Sequence, residues 1–134
     1  MADTGYNWAA WASAGSGVDG DPTIATGADA TSDAIDLDVK VACEIGLSIA
    51  YPDNAPTGVV TIYVLGDVDG THYETTNAAP WAFTITPVRN ATIYRRFSID
   101  PGSYGEVKVM IANAAGHTLT AVMTYRTATI PAAS

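Results

Sequence analysis

The sequence predicts an all-β fold, an antiparallel β-sandwich of immunoglobulin-like or small jelly-roll type with an extended N-terminal arm, on three observations. Apolar residues recur at every second position through the middle of the chain, the period of a strand with one buried face. Short β-rich runs are separated by turns containing Pro, Gly and Asn, as in sandwiches and small barrels. No stretch after residue 34 carries the periodicity of a helix of useful length.

The alternation is clearest from Val39 to Tyr51, where Val39, Val41, Cys43, Ile45, Leu47, Ile49 and Tyr51 share one phase. Those thirteen residues exceed the roughly 5–6 of an average strand, which predicts a bend or bulge near Gly46 or a change of sheet partner there. A loop over residues 51–56 leads to Gly58–Gly66, apolar in both phases and therefore expected in the middle of the protein. After a long polar connection, 67–80, Trp81–Thr86 and Thr92–Ile99 alternate again. Asp100-Pro101-Gly102 is a turn signal, since proline presets φ at its second position and glycine accepts a positive φ at its third. Tyr104–Ala112 and Thr118–Arg126 flank Asn113-Ala114-Ala115-Gly116 and are expected to pair as a hairpin.

Charge divides the chain differently. Residues 1–38 hold Asp3, Asp19, Asp21, Asp29, Asp33, Asp36 and Asp38, and the first cation is Lys40. The predicted division is an acidic arm over 1–33, a β body over 34–127 and a C-terminal tail over 128–134. The arm's small residues offer little to bury, so alone it cannot offset its own ordering entropy. It is expected to be held by its own body or by neighbouring subunits. Tyr6, Trp8 and Trp11 are its candidate anchors, as large rigid aromatics dominate many interfaces; the alternative is that they tuck back over the sandwich.

Of the 134 residues, 15% are charged, against about 25% in a typical protein, leaving a surface rich in Thr, Ser, Ala and Gly suited to protein contact. A net charge of −8 and a pI near 4.3 oppose binding to phosphate backbones, so no nucleic-acid partner is expected. Nowhere do about 20 apolar residues follow one another, and the N-terminus has no signal-peptide pattern. Synthesis in the cytoplasm without a membrane contact follows as the expectation. Cys43 is the single cysteine and shares the apolar phase of its segment, which predicts a buried structural thiol.

Candidate sites are few. Asp67, Asp69 and Glu74 place three carboxylates in eight residues around Gly70, the hard oxygen ligands that calcium prefers, although the spacing is not that of an EF-hand loop. Asp-x-Asp-Gly also occurs in ordinary hairpin loops, so no cofactor is expected, with calcium the alternative. His72 and His117 fall on separate loops without zinc-ligand spacing. No nucleophile elbow, dinucleotide-binding or phosphate-binding loop motif occurs, and no enzyme is expected. Arg95 and Arg96 lie within a predicted strand and point to opposite faces. Arg95 shares the phase of Ile93, Phe97 and Ile99, so it is an edge cation, an ion-paired group or part of a subunit contact, and the pair is a candidate receiver for an acidic arm. Trp81 with Tyr63, Tyr73, Tyr94, Tyr104 and Tyr125 are candidates for a sugar-stacking platform, or else for core.

The run from Val60 to Glu74, then Pro80-Trp81-Ala82-Phe83, with Ala34-Ile35-Asp36-Leu37-Asp38 ahead of the first strand and an Ala/Thr/Gly-rich N-terminus, resembles small structural virion proteins of tailed bacteriophages. The resemblance spans about residues 34–126 and lies in style and order of segments. It implies a capsid decoration (cement) protein on the outer surface of the virion, bound to the major capsid protein and to neighbouring copies of itself and reinforcing contacts between capsomers. A head-fibre or tail component would look similar. The alternative from another class is a carbohydrate-binding or calcium-dependent adhesion module.

Overall fold

A computed structural model describes residues 5–19, 22–77 and 81–130; Asp3, Asp21, Pro80 and the tail residues 131–134 lie outside the described residues. The chain forms an antiparallel β-sandwich. Among the described residues its eleven strands are β1 (Asn7–Trp8), β2 (Ala12–Ser13), β3 (Thr23–Ile24), β4 (Asp29–Thr31), β5 (Ile35–Asp36), β6 (Ala42–Ala50), β7 (Val60–Gly66), β8 (Trp81–Ile85), β9 (Thr92–Ile99), β10 (Glu106–Asn113) and β11 (Leu119–Thr129). One sheet runs β1-β11-β6-β9, with β2 and β3 also on β11; the other runs β4-β10-β7-β8, with β5 also on β10. Ile45, Ile49, Ile62, Val107, Val109, Ile111 and Met123 meet between the sheets, each buried.

Period-two patterning explains the central strands: β6 and β10 alternate buried and less buried residues throughout, and β7 and β11 do so over their first halves. Along β6 the alternation is unbroken and the register to β11 and β9 is continuous, so neither a bulge nor a change of sheet partner occurs at Gly46. Gly46 has another use: a Cβ there would lie 3.4 Å from Trp11 Cζ3 and 3.1 Å from Thr124 Oγ1, so the missing side chain seats an indole on the outer face. Strand β6 also starts later than expected. Val39 lies in a left-handed turn (φ 54°) and is 81% exposed, a strained conformation for a β-branched residue. Gly102 does not adopt the positive φ expected of it either, because Pro101–Ser103 forms a single 3-10 turn capped by the Asp100 carboxylate, which accepts from Gly102 N at 2.9 Å.

The expected hairpin of the last two strands is corrected. β10 pairs with β7, β4 and β5 in one sheet, and β11 pairs with β6 and β1–β3 in the other. Both present an apolar residue at every second position, and facing each other across the core buries both rows, which pairing in one layer would not. Asn113 makes this crossing possible: its buried side chain donates to Ile24 O and His117 O, both at 2.8 Å, and accepts from Ala115 N at 3.0 Å.

The division at residue 33 is not a division in the fold. β1, β2 and β3 line the edge of β11, β4 lines β10, and Ala14, Val18 and Ile24 are buried in the common core. Ala14 links the layers, its N–H donating to Met123 O of β11 (3.2 Å) while its carbonyl accepts from Asp33 N (2.9 Å). Next to it, the buried Ser32 hydroxyl accepts from Val109 N at 2.9 Å. The sandwich is thereby sealed on this side. At the other end, β11 runs through Thr129, so the expected tail starts inside a strand.

Candidate functional site

The outward-facing residues of β11 and β6 form the floor on which the anchors predicted from sequence are placed. Arg126 and Glu44 stand opposite each other across β11 and β6, and the guanidinium donates to Glu44 Oε1 from Nε (2.8 Å) and Nη2 (2.5 Å). The cation also lies 4.2 Å from the Trp8 ring centre and 4.8 Å from that of Trp11, so the two indoles flank it. Such cation–π contacts contribute about 0.5–1 kcal/mol at exposed sites. Arg96 approaches the same carboxylate at 3.7 Å, and Tyr6 meets Trp8 edge-on at 6.3 Å. Tyr6, Trp8, Trp11 and Arg96 thus belong to one cluster on the chain's own body, centred on an ion pair that sequence reasoning missed. Its two members are 82 residues apart, and only the β6–β11 register brings them together.

Arg95 does not join that cluster. It faces Leu47, a core residue, across β9 and β6, yet it is exposed because β9 ends its sheet. Among the described residues it makes no hydrogen bond or ion pair. An inward-phase charge on an edge strand resists pairing with another edge. Beside it, an open groove of about 500 Å³ is lined by Gly46, Ser48, Tyr94, Arg95, Arg96 and Thr124.

Strands β8 and β9 end their respective sheets on the same side of the sandwich, and here nothing among the described residues seals the layers. Phe97 packs edge-on against Phe83 at 5.0 Å and tilted against Trp81 at 6.5 Å. A cleft of about 240 Å³ opens between these rings, with Trp81 44% exposed. Below it, a second groove of about 400 Å³ brings Tyr6, Trp8 and Trp81 to Glu44, Ser98 and Asp100. Trp81 is therefore separated from the tyrosines with which it was grouped, except that Tyr6 and Trp8 approach it from the N-terminal segment.

The carboxylates of the 67–74 loop turn inward on their own backbone. Asp67 Oδ1 accepts from Asp69 N and Gly70 N, and Asp69 Oδ1 accepts from Thr71 N and His72 N. The bond from His72 N, then the imidazole contact and the bond from Thr71 N, hold the Asp69 carboxyl below its ordinary pKa. Glu74 accepts from Gly66 N at 2.9 Å. Burial, followed by the bond to Glu74, raises the Tyr104 hydroxyl. Among the described residues no group of three or more His, Cys, Asp or Glu side chains is placed to hold a metal ion. Tyr73 donates to Glu106, and partial burial together with that bond pushes its pKa up to about 12. Cys43 is buried, and that desolvation, with the neighbouring Glu44 charge, raises its thiol to about 11.

No family model matches the sequence, and no curated protein matches it. Among solved structures, a protein of Bacillus endospore appendages, described as a novel family of disulfide-linked pili, is 16% identical over 96% of this chain and 95% of that chain, with a TM-score of 0.44. At that identity and score no residue role passes from it to this chain.

Proposed function

We propose that this chain is a structural protein that works by contact with other proteins, and that its place is the outer surface of a phage capsid, where it reinforces contacts between capsomers. The observation that carries the reading is the open side of the sandwich: two edge strands, an aromatic cleft between them, and Tyr94 of β9, 80% exposed. Exposed edges and apolar clefts of this kind are a liability in a free monomer and an asset once covered by protein. The capsid in particular rests on the resemblance carried by residues 60–74, 80–83 and 34–38. Antibody against the chain, used to label purified particles of the parent phage, is expected to decorate heads at many positions. Labelling confined to tail tips, or absent from particles, overturns the capsid reading.

One observation favours the adhesion alternative, namely the groove in which Tyr6, Trp8 and Trp81 meet Glu44, Ser98 and Asp100. Aromatic faces with hydroxyl and carboxylate acceptors suit a sugar ring. Saturable glycan binding by the purified chain, abolished by Trp81→Ala, would replace the structural reading with that one.

A further inference from the structure

We propose that the open side of one molecule receives the sealed side of a second copy, so that the chain associates head to tail. The argument is the charge of the two sides. Residues 81–99, which form β8, β9 and their connection, contain Arg89, Arg95 and Arg96 and no Asp or Glu; Arg89 pairs with Asp53 at 2.7 Å and Arg96 approaches Glu44, so among the described residues Arg95 carries the charge left for a partner. The described residues of 12–36, which build the sealed side, carry only acidic charges, and Asp29, Asp33 and Asp36 are exposed there.

The sides lie opposite one another. Phe83 and Phe97 place β8 over β9 at one end of the layers, while Ala14 ties β11 to the segment after β4 at the other. Each molecule therefore offers complementary surfaces pointing in opposite directions. Pairing two copies through β9 itself is disfavoured: antiparallel two-fold alignment about the middle of Thr92–Ile99 puts Arg95 opposite Arg95 or Arg96 opposite Arg96, and like charges directly opposite destabilise a strand pair. Arg95, without a hydrogen bond or ion pair among the described residues, remains available to an outside carboxylate. The cleft between Trp81, Phe83 and Phe97 supplies apolar area that surface ion pairs alone lack. A contact between two different patches of one molecule repeats, giving rows or closed rings rather than a two-fold dimer.

This contact deepens the reading of a structural protein, but head labelling and self-association are separate measurements, so either can fail alone. Sedimentation of the purified wild-type chain over a wide concentration range at low salt (about 0.01 M) is expected to show a ladder of species, weakened at about 1 M salt as charge is screened. Arg95→Glu with Arg96→Gln, and separately Asp29→Lys with Asp36→Lys, are each expected to weaken association by about tenfold or more. An equimolar mixture of the two variants should recover it, because each then offers the side the other lost. Melting curves establish that both variants fold; where one does not, Arg95→Gln and Asp29→Asn replace them with a smaller expected loss. A monomeric wild type under all these conditions overturns the proposal. So does association unaffected by the substitutions, or a mixture of folded variants that stays monomeric.

Discussion

The two long sides of the sandwich are finished in opposite ways. One is closed by the N-terminal stretch of low-hydrophobicity chain, cut into strands of two or three residues and sewn to both sheets through Ala14, Ser32 and Asn113. The other is left as two longer strands, β8 and β9, with rings showing between them. The sealed side gains its order from backbone hydrogen bonds and a few buried side chains, since its composition alone predicts disorder. The open side has the β-rich composition expected of order and yet exposes most of β9. Composition is thus a poor guide to which part of this protein is structurally committed and which part is available to a partner.

Removing the closure should have the largest effect. Deletion of residues 2–33 strips Ala14, Val18 and Ile24 from the core and uncovers β11 and β10. Each fully buried aliphatic chain contributes about 1.5–3 kcal/mol, and domains of this size have only about 5–15 kcal/mol in total. Near-ultraviolet circular dichroism should therefore show no cooperative melting for the truncated chain. A truncated body that melts normally would mean that the closure is an ornament, and the contrast between the two sides would collapse.

A single side chain tests the same closure more finely. Asn113→Ala leaves Ile24 O, His117 O and Ala115 N without their partner in a buried setting. The expected cost is about 2–3 kcal/mol, read from chemical denaturation, because unmet buried polar groups lose their full desolvation energy. Asn113→Asp should not rescue it, since a carboxylate cannot donate to either carbonyl.

Part of this architecture was legible and part was not, for identifiable reasons. Strand β9 matches the run read from alternation, and β6, β7 and β8 fall within theirs, because a local period of two is enough. The layer to which β10 and β11 belong was misread, since Asn113–Gly116 looks like a hairpin turn and only the buried Asn113 side chain reveals a crossing between sheets. The arm's closure was illegible because its strands are two or three residues long and its three core residues, Ala14, Val18 and Ile24, are too sparse to show a period. Of the site, the aromatic anchors and Arg96 could be named from residue type, but Glu44 and Arg126 look like ordinary strand residues until the register sets them face to face.

Between the two sides, Cys43 reports whether the open edge lets solvent reach the core, as it pairs with Ile99 of β9 and is buried. Its folded pKa, about 11, lies above the ordinary value of 9. The thiol's contribution is therefore complete below pH 9 and is lost as pH rises through 11. Relative to Cys43→Ala, the wild type should lose about 1–2 kcal/mol across that window, which urea midpoints at successive pH values would read. The comparison removes the shared effects of Tyr73 and Tyr104, whose hydroxyls are raised in the same direction. An equal pH dependence in both proteins would mean that the thiol is already solvated and that the open side extends into the core.

Trp81→Ala should change stability least for its size. Truncating a buried Trp typically costs about 3–5 kcal/mol, but Trp81 is 44% exposed at the first position of an edge strand and its ring contact is a tilted one with Phe97. Less than about 1 kcal/mol is expected in the isolated chain, within the range of substitutions away from core and networks. A loss that small would leave the Trp81 ring free to be covered by a partner, as the proposed contact requires. If denaturation instead shows a loss near that of a buried Trp, the cleft closes in solution, and the open side is part of the core rather than a surface kept for a partner.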